Sequence, residues 1–343
     1  MKTRCLGIRE MSADNQPLVS VLTPVYNGSP YIRECIESVL AQTYSNWDYS
    51  VVNNCSTDET LEIAEEYARK DKRIHVYTND VLLQIIDNHN RAFRLISPQS
   101  KYCKVVSGDD WLFPECLEQM VRVAEAHPSA GFVGSYQLSG GGADWRTWGI
   151  RWAELPYPST LVPGREVCRS HLLGGPYVFG NPTSLLYRSD LVRGQDCFYP
   201  NSTAEADTSA CYRYLQQTDF GFVHQVLSFM RVHEQTMTAV SRSVNAYESS
   251  RLSDLVEYGP SYLTPDALDK RLQEILADYY RFLAVSVFHS RGTAFWAYHK
   301  KRLAECRQDL SYMRLALAVF AKSADLLFNP KQTVEKLLNR TTV

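Results

Sequence analysis

The chain lacks any Cys-x-x-Cys pair, although it carries nine cysteines, at positions 5, 35, 55, 103, 116, 168, 197, 211 and 306. An odd, unpatterned set gives no disulfide framework. It fits reduced thiols, many of them small core residues, in a cytoplasmic protein. No apolar run approaches the roughly 18 residues of a membrane span. Residues 1–16 have no signal-peptide core, so a loose leader is expected there. Charge of one sign is not in surplus either: 36 Lys and Arg face 38 Asp and Glu, for a formal net charge of −2. That balance offers no chain-wide attraction to nucleic acid. Internal repeats and low-complexity tracts are missing as well.

What is present is a 343-residue chain, 45% hydrophobic and 22% charged, the proportions of a soluble globular protein with a large core. Short β-branched runs alternate with amphipathic segments. Residues 18–24 read as a strand ended by its proline, and 29–42 as a helix. A second strand over 47–52 follows, and Ser56 to Glu59 form a capping box that opens the next helix. A strand over 74–77, a helix over 87–96 and a strand over 102–106 come next. This alternation predicts parallel βαβ units in a doubly wound α/β sheet. A helix after Pro114 and a strand over 130–136 extend it. A long loop region then opens near Gly140 and holds Trp145, Trp148 and Trp152; loops of that length are usually functional. Strands are expected over 183–187 and 221–232, with a helix near 208–216 between them. From Asn245 the pattern is helical to the end, with Leu268, Leu272, Ile275, Leu276, Tyr279 and Leu283 in one apolar stripe. Leu315, Leu317, Val319 and Phe320 lie in another. The cluster His299-Lys300-Lys301-Arg302, beside Phe295, Trp296 and Tyr298, is either a solvated helix face or a contact for an anionic membrane surface.

One stretch carries chemistry. Lys104-Val105-Val106-Ser107-Gly108-Asp109-Asp110-Trp111 is a buried-strand pattern that stops at a glycine and delivers two carboxylates to its carboxyl end. Open α/β sheets bind ligands there. Adjacent carboxylates raise each other's cost of ionising, and Mg²⁺ or Mn²⁺ relieves that repulsion through hard oxygen ligands. The other reading is a capping turn, with an Asp closing the helix after Pro114.

Thr23-Pro24-Val25-Tyr26-Asn27-Gly28, then Asn53-Asn54-Cys55-Ser56-Thr57-Asp58-Glu59-Thr60, then Ser107-Gly108-Asp109-Asp110 together resemble the amino-terminal half of family 2 glycosyltransferases. The resemblance runs over about residues 17–240. It implies a GT-A fold, a mostly parallel Rossmann-like sheet, here with a helical carboxyl-terminal segment. It also implies an inverting enzyme that moves a sugar from a nucleotide-diphosphate donor to an acceptor hydroxyl, in surface polysaccharide or glycan synthesis. The implied domains are a leader (1–16), the transferase domain (17–240) and the helical segment (245–343).

By the same resemblance, Thr23, Pro24 and Tyr26 line the nucleotide, Asn54 reads the base, and Asp109 lies near the ribose. Asp110 holds a Mn²⁺ or Mg²⁺ ion on the diphosphate. Asn53 and Asn54 replace two acids of the family's pattern; a neutral Asn54 favours a UDP- or dTDP-linked donor. Glu205-Ala206-Asp207-Thr208 is similar to the family's acidic stretch before a helix and implies Asp207 as general base, kept ionised by the helix dipole; the other reading of Asp207 is a helix cap. Arg231-Val232-His233 resembles a late Arg-x-His element; His233 is a third metal ligand, a phosphate donor or a structural residue. Asn181 to Ser184 fall where an acceptor-side strand begins, and Trp145, Trp148 and Trp152 form either an acceptor wall or a hydrophobic lid. The implied acceptor is a glycan or a lipid-linked glycan, with peripheral membrane contact through the carboxyl-terminal helices. Two rivals are a sugar-phosphate nucleotidyltransferase and a degenerate nucleotide-sugar-binding protein. The first should show a glycine-rich basic loop after its first strand; residues 23–30 contain one glycine and no Lys or Arg.

Overall fold

The computed structural model describes residues 16–141, 149–151, 160–201, 205–233, 244–289 and 291–328. Strand and helix alternate at first: β1 (Val19–Val25), α1 (Ile32–Leu40), β2 (Trp47–Asn53), α2 (Thr60–Lys70), β3 (Ile74–Thr78), α3 (Ile85–Phe93) and β4 (Tyr102–Val105). Next come β5 (Trp111–Leu112), α4 (Cys116–Ala126), β6 (Ala130–Gly140), β7 (Gly149–Arg151), β8 (Leu161–Val162) and α5 (Gly164–Leu172). β9 (Leu185–Arg188), α6 (Ser189–Arg193), α7 (Ala206–Tyr214) and β10 (Asp219–Arg231) complete this part. The sheet runs β3-β2-β1-β4-β9-β6-β10-β5, with β7 on β6 and β8 on β10. β3, β2, β1 and β4 are parallel, as are β6 and β10, and β9 is antiparallel to both its neighbours.

Every residue of β1 is buried, the mark of a strand covered on both faces. The strand does not end at Pro24 as its proline suggests; Pro24 pairs opposite Val52 and the ladder continues to Val25. The reason lies in the alternation of backbone groups. The carbonyl of Val25 faces β2, accepting from Asn54 N–H at 2.8 Å, while Leu18 and Leu22 face β4, accepting from Lys101 and Val106. Pro24 shares the side of Leu22, and β4 pairs only as far as Leu22. Its missing N–H therefore removes no ladder bond.

α1 and α4 cover one face of the sheet. Ile32, Cys35, Ile36 and Val39 of α1 and Leu117, Met120, Val121 and Ala124 of α4 join Val19, Val21, Tyr49 and Val51 in one core. A second core is aromatic. Phe93 of α3 meets Phe198 at 4.7 Å and Tyr199 at 5.0 Å between ring centroids, and Phe132 meets Tyr187 at 5.0 Å. This cluster fastens α3 to the segment that leads into α7. Truncating a ring such as the fully buried Phe132 costs about 3–5 kcal/mol. All eight cysteines among the described residues are free, and six are buried.

Three local expectations are corrected. Ser56 and Glu59 form no capping box: α2 begins at Thr60 with no side-chain cap on Glu59, because Ser56 and Asp58 are committed to the neighbouring turn. Residues 181–184 do not begin a strand. They are a 3-10 turn, Pro182–Ser184, in which Asn181 and Ser184 cap each other, and the strand starts at Leu185. The basic cluster is only in part a surface patch: Lys300 and Lys301 are exposed, but His299 is not. His299 is fully buried, bonded to Tyr279 Oη (2.6 Å) and the Val244 carbonyl (2.8 Å), and Phe295 is 4% exposed. Burial pushes the His299 pKa down to about 4.

By compactness the chain divides into two units, Met1–Thr238 and Ala239–Val343. The described part of the second holds α8 (Ala246–Tyr262), α9 (Pro265–Phe288), α10 (Thr293–Glu305) and α11 (Tyr312–Phe328). The α9 stripe buries Ile275, Leu276, Tyr279 and Leu283. α11 differs: Met313, Leu317, Phe320 and Leu327 are 64–77% exposed. No helix among the described residues is long and apolar enough to cross a membrane.

Candidate functional site

The carboxyl ends of β1, β2 and β4 converge on two tight turns. The Val25 side chain fills the gap between them: a Cβ on Gly28 or Gly108 would stand 2.6 or 2.8 Å from Val25 Cγ2. Glycine at both places is what lets the backbones approach. The stretch after β2 clamps the turn after β1. Asn27 N–H donates to Ser56 Oγ (3.0 Å), Gly28 N–H to Thr60 Oγ1 (2.8 Å) and Ser29 N–H to Asp58 Oδ2 (3.0 Å). Asn27, at φ 49°, accepts in return from Thr57 N–H at 2.8 Å. Thr23 turns inward, sharing a 2.8 Å hydrogen bond with Tyr49 Oη, and is fully buried. Of Thr23, Pro24 and Tyr26, Tyr26 presents its ring to solvent, at 48% exposure.

Asn54 does not present its amide to a base. Its Nδ2 donates to the Leu83 carbonyl (2.9 Å), while Oδ1 accepts from Leu83 N–H (2.9 Å) and Asn79 Nδ2 (2.7 Å). The side chain pairs with the Leu83 backbone as a neighbouring strand would, and pins the segment between β3 and α3. Asn79 Nδ2 also reaches Asn88 Oδ1 at 2.8 Å, and all three amides are buried. A carboxylate cannot donate to the Leu83 carbonyl, which explains an amide here. Val81 and Leu82, on the pinned segment, are 64% and 58% exposed.

The acidic pair is held by the end of β10. Asp110 is 3% exposed and both its oxygens are used: Oδ2 accepts from Thr183 Oγ1 (2.6 Å) and Oδ1 from Arg231 N–H (2.9 Å). Burial, reinforced by the charge of Asp109, pushes its pKa well above the ordinary carboxylate range. Asp109 instead pairs with His233 Nε2 at 3.0 Å, with side-chain exposures of 28% and 23%. Arg231 Nε donates to the Asp109 carbonyl (3.1 Å), and its guanidinium lies 4.5 Å from the Tyr31 ring and 5.1 Å from Trp111. The two acids thus have opposite surroundings. Asp110, the expected cation ligand, accepts one hydrogen bond on each oxygen inside the fold, and Asp109 is the more exposed of the two acids.

Lys104 is the unforeseen member. Fully buried, it donates from Nζ to the carbonyls of Thr183 (2.6 Å) and Leu185 (3.1 Å). Burial pushes its pKa down. It fixes the turn whose Thr183 hydroxyl serves Asp110 and also accepts from Ser107 N–H at 3.1 Å. A charged residue inside a β-branched run was the sequence signal for it.

Asp207 sits in the first turn of α7 and accepts from Thr208 N–H at 2.8 Å. The dipole does not prevail as expected: burial, with repulsion from Glu205, raises its pKa to about 7. On α3, His89 meets the ring of Tyr199, ahead of α7, at 5.8 Å between centroids. Trp145, Trp148 and Trp152 lie outside the described residues.

No group of three or more His, Cys, Asp or Glu side chains among the described residues is arranged to hold a metal ion. Asp109 and His233 still fit one in part. They are an oxygen and a nitrogen donor 3.0 Å apart and partly exposed, a set suited to Mn²⁺ or Mg²⁺ when ligand oxygens complete the shell.

Comparison with known proteins agrees with this architecture. A family description, glycosyl transferase family 2, matches residues 20–193, just over half of the chain. An uncharacterized glycosyltransferase of Haemophilus influenzae is 37% identical over 123 residues, 36% of this chain and 38% of that protein. The putative teichuronic acid biosynthesis glycosyltransferase TuaG of Bacillus subtilis is 34% identical over 120 residues, 35% of this chain and 47% of its own. The chain therefore covers less than half the length of either relative. Among solved structures, S. aureus TarS 1–349 in complex with UDP-GlcNAc superposes with a TM-score of 0.63 at 18% identity, over 92% of this chain and 88% of that one. The mannosyltransferase PcManGT of Pyrobaculum calidifontis, in complex with GDP-Man and Mn²⁺, gives 0.53 at 13% identity, over 92% and 89%. Both likenesses concern the fold, which is of the GT-A kind. With its family motifs at the carboxyl ends of β1, β2 and β4 and the family match spanning half its length, the protein belongs to glycosyl transferase family 2.

Proposed function

We propose that this chain transfers a sugar from a nucleoside-diphosphate donor to an acceptor hydroxyl with inversion, in the synthesis of a surface polysaccharide. The observation that carries the reading is the difference between two acid environments: a partly exposed Asp109–His233 pair and an Asp207 whose pKa is raised to about 7. Asp109 and His233 would hold the divalent cation, with Asp110, Thr183 and Arg231 N–H as their rigid support. The cation, when bound, supplies positive charge that stabilises the leaving diphosphate. Asp207, poised near neutrality, takes the acceptor proton as the new bond forms. A single carboxylate on the attacking side suits one displacement, which inverts the sugar.

The base rests against Tyr26 and the segment pinned by Asn54. Asn54 therefore gives no preference for uridine over guanosine, and a UDP donor is put first because the TarS neighbour is in complex with UDP-GlcNAc. Peripheral membrane contact, if the acceptor is lipid-linked, falls to the exposed apolar residues of α11 rather than to the cluster around His299, whose His299 and Phe295 are buried. The test is release of nucleoside diphosphate from a panel of UDP-, dTDP- and GDP-sugars with Mn²⁺. Turnover of at least one donor is expected, and no turnover of any would reject the reading.

A further inference from the structure

The loop between α5 and β9 reaches α7 beside Asp207, and the chemistry above leaves it unused. Tyr177, on that loop, makes two contacts with its hydroxyl. Its Oη lies 2.9 Å from the Gly180 carbonyl and 2.7 Å from Thr208 Oγ1. A carbonyl can only accept, so the single phenol proton goes to Gly180. The proton of the second bond then comes from Thr208, whose hydroxyl donates to Tyr177. Thr208 is buried, and its N–H donates to Asp207 Oδ1 at 2.8 Å. One residue thus serves both groups, the carboxyl with its N–H and the phenol with its O–H. A second tie lies one turn along α7, where His171 Nδ1 of α5 is hydrogen-bonded to Tyr212 Oη at 2.5 Å. The rings of His171 and Tyr177 meet at 5.2 Å between centroids. The loop runs on through Asn181 into the turn whose Thr183 holds Asp110.

The direction of the Thr208 proton bears on the base. A hydroxyl that donates to a carboxylate favours its ionised form and weakens it as a proton acceptor. A hydroxyl that donates elsewhere leaves the basicity intact. We propose that Tyr177 is a positioning residue for the base: by accepting the Thr208 proton it holds that hydroxyl away from the carboxyl of Asp207. The inference rests on the proposed role of Asp207 as general base. In support, the Thr208 hydroxyl acts to lower the Asp207 pKa less than the Thr208 N–H does. The other titratable groups that interact with the charge of Asp207 are Glu205, Cys211 one turn on, Tyr187 of β9 and Tyr199. Burial raises the pKa of Cys211 and of both tyrosines well above their ordinary values, so these three stay neutral near pH 7. Glu205 is the charged neighbour.

The test follows release of UDP from UDP-glucose, UDP-galactose and their N-acetylamino forms, with Mn²⁺ and water as the acceptor, over about pH 5 to 9. It compares wild type, Tyr177→Phe, Thr208→Val and the double variant. Removing the phenol oxygen frees the Thr208 hydroxyl to turn to the carboxylate. The rising limb of kcat in Tyr177→Phe should therefore move about one unit to lower pH. Its plateau should fall about 2- to 5-fold, because the base is weaker. The two profiles then cross, and at about pH 6 Tyr177→Phe should be at least as fast as wild type. Affinity for UDP should stay within about twofold. Thr208→Val has no hydroxyl to turn, so its limb should lie no lower than that of wild type, and adding Tyr177→Phe should move nothing. An unmoved or raised limb in Tyr177→Phe would overturn the proposal, as would a lowered limb that persists in the double variant. Titration of the carboxyl by ¹³C NMR of labelled aspartate, its signal identified with Asp207→Asn, reads the same shift without turnover. Absence of that shift in Tyr177→Phe would overturn the proposal as well. Release of no UDP by wild type would instead strike the transferase reading, and a limb that survives Asp207→Asn would strike the role of the base.

Discussion

Replacing Asp207 by Asn keeps the shape of the side chain and its hydrogen bond from Thr208 N–H while removing the base. Positioned general-base catalysis is worth about 10²- to 10⁴-fold, so turnover should fall within that range while donor affinity holds. The pH profile carries more information than the rate alone. Burial and the charge of Glu205 set the Asp207 pKa at about 7, and the base works only when ionised. In the wild-type protein kcat/KM should therefore rise with pH and level off above neutrality. At pH 6 about a tenth of the carboxylate is ionised, so the rate there should be roughly tenfold below the plateau. Glu205→Gln removes the neighbouring charge and should move that limb to lower pH while leaving the plateau near wild type. The assay is release of nucleoside diphosphate from donor and acceptor across pH 5 to 9 (an approximate range chosen to bracket the limb). The reasoning is refuted if Asp207→Asn keeps near-normal turnover, or if the limb persists unchanged in that variant.

Other expectations follow from the supporting network. Thr183→Val leaves an oxygen of buried Asp110 without its donor, at a cost of about 1–3 kcal/mol; thermal unfolding should show a drop of several degrees, and no drop would mean the bond is not needed. Asn54→Asp loses the donor to the Leu83 carbonyl and should destabilise the protein without changing which nucleotide binds best; a gain in GDP over UDP affinity would show that residue 54 reads the base after all. Liposomes should retain the protein through α11, so Leu317→Glu with Phe320→Glu should abolish flotation while Lys300→Glu with Lys301→Glu should not. The reverse outcome would return the membrane contact to the basic cluster.

The sheet was legible because its signals are local. β-branched runs ending at Gly, Asn or Pro, set between amphipathic helices, gave the βαβ order of the first half and the helical second unit. The proline at position 24 misled because strand-ending depends on which neighbour a missing N–H faces, and that is a property of the assembled sheet. The acidic pair was found but its surroundings were not. Sequence shows two adjacent carboxylates; it does not show that Thr183, 73 residues on, donates to one of them and that His233, 124 residues on, pairs with the other. The bonds of Asn54 were hidden for a similar reason, since its partners Leu83 and Asn79 lie beyond a strand. The dipole argument for Asp207 was sound locally and was outweighed by desolvation of its carboxyl and the charge of Glu205. Lys104 carries no motif beyond its charge inside a β-branched run, and its partners, the Thr183 and Leu185 carbonyls, come from the fold.

The central claim is that Asp109 with His233, rather than Asp110, holds the divalent ion that anchors the nucleoside diphosphate. Calorimetric titration of UDP into wild type, Asp109→Asn and His233→Ala, each with Mn²⁺ and with EDTA, tests it directly. Wild type should bind UDP at least about tenfold more tightly with Mn²⁺, a gain of roughly 1.4 kcal/mol or more, and both variants should lose that gain while keeping the native melting temperature within a few degrees. Equal UDP affinity with Mn²⁺ and with EDTA in the wild-type protein, or an undiminished Mn²⁺ effect in Asp109→Asn, would contradict the account.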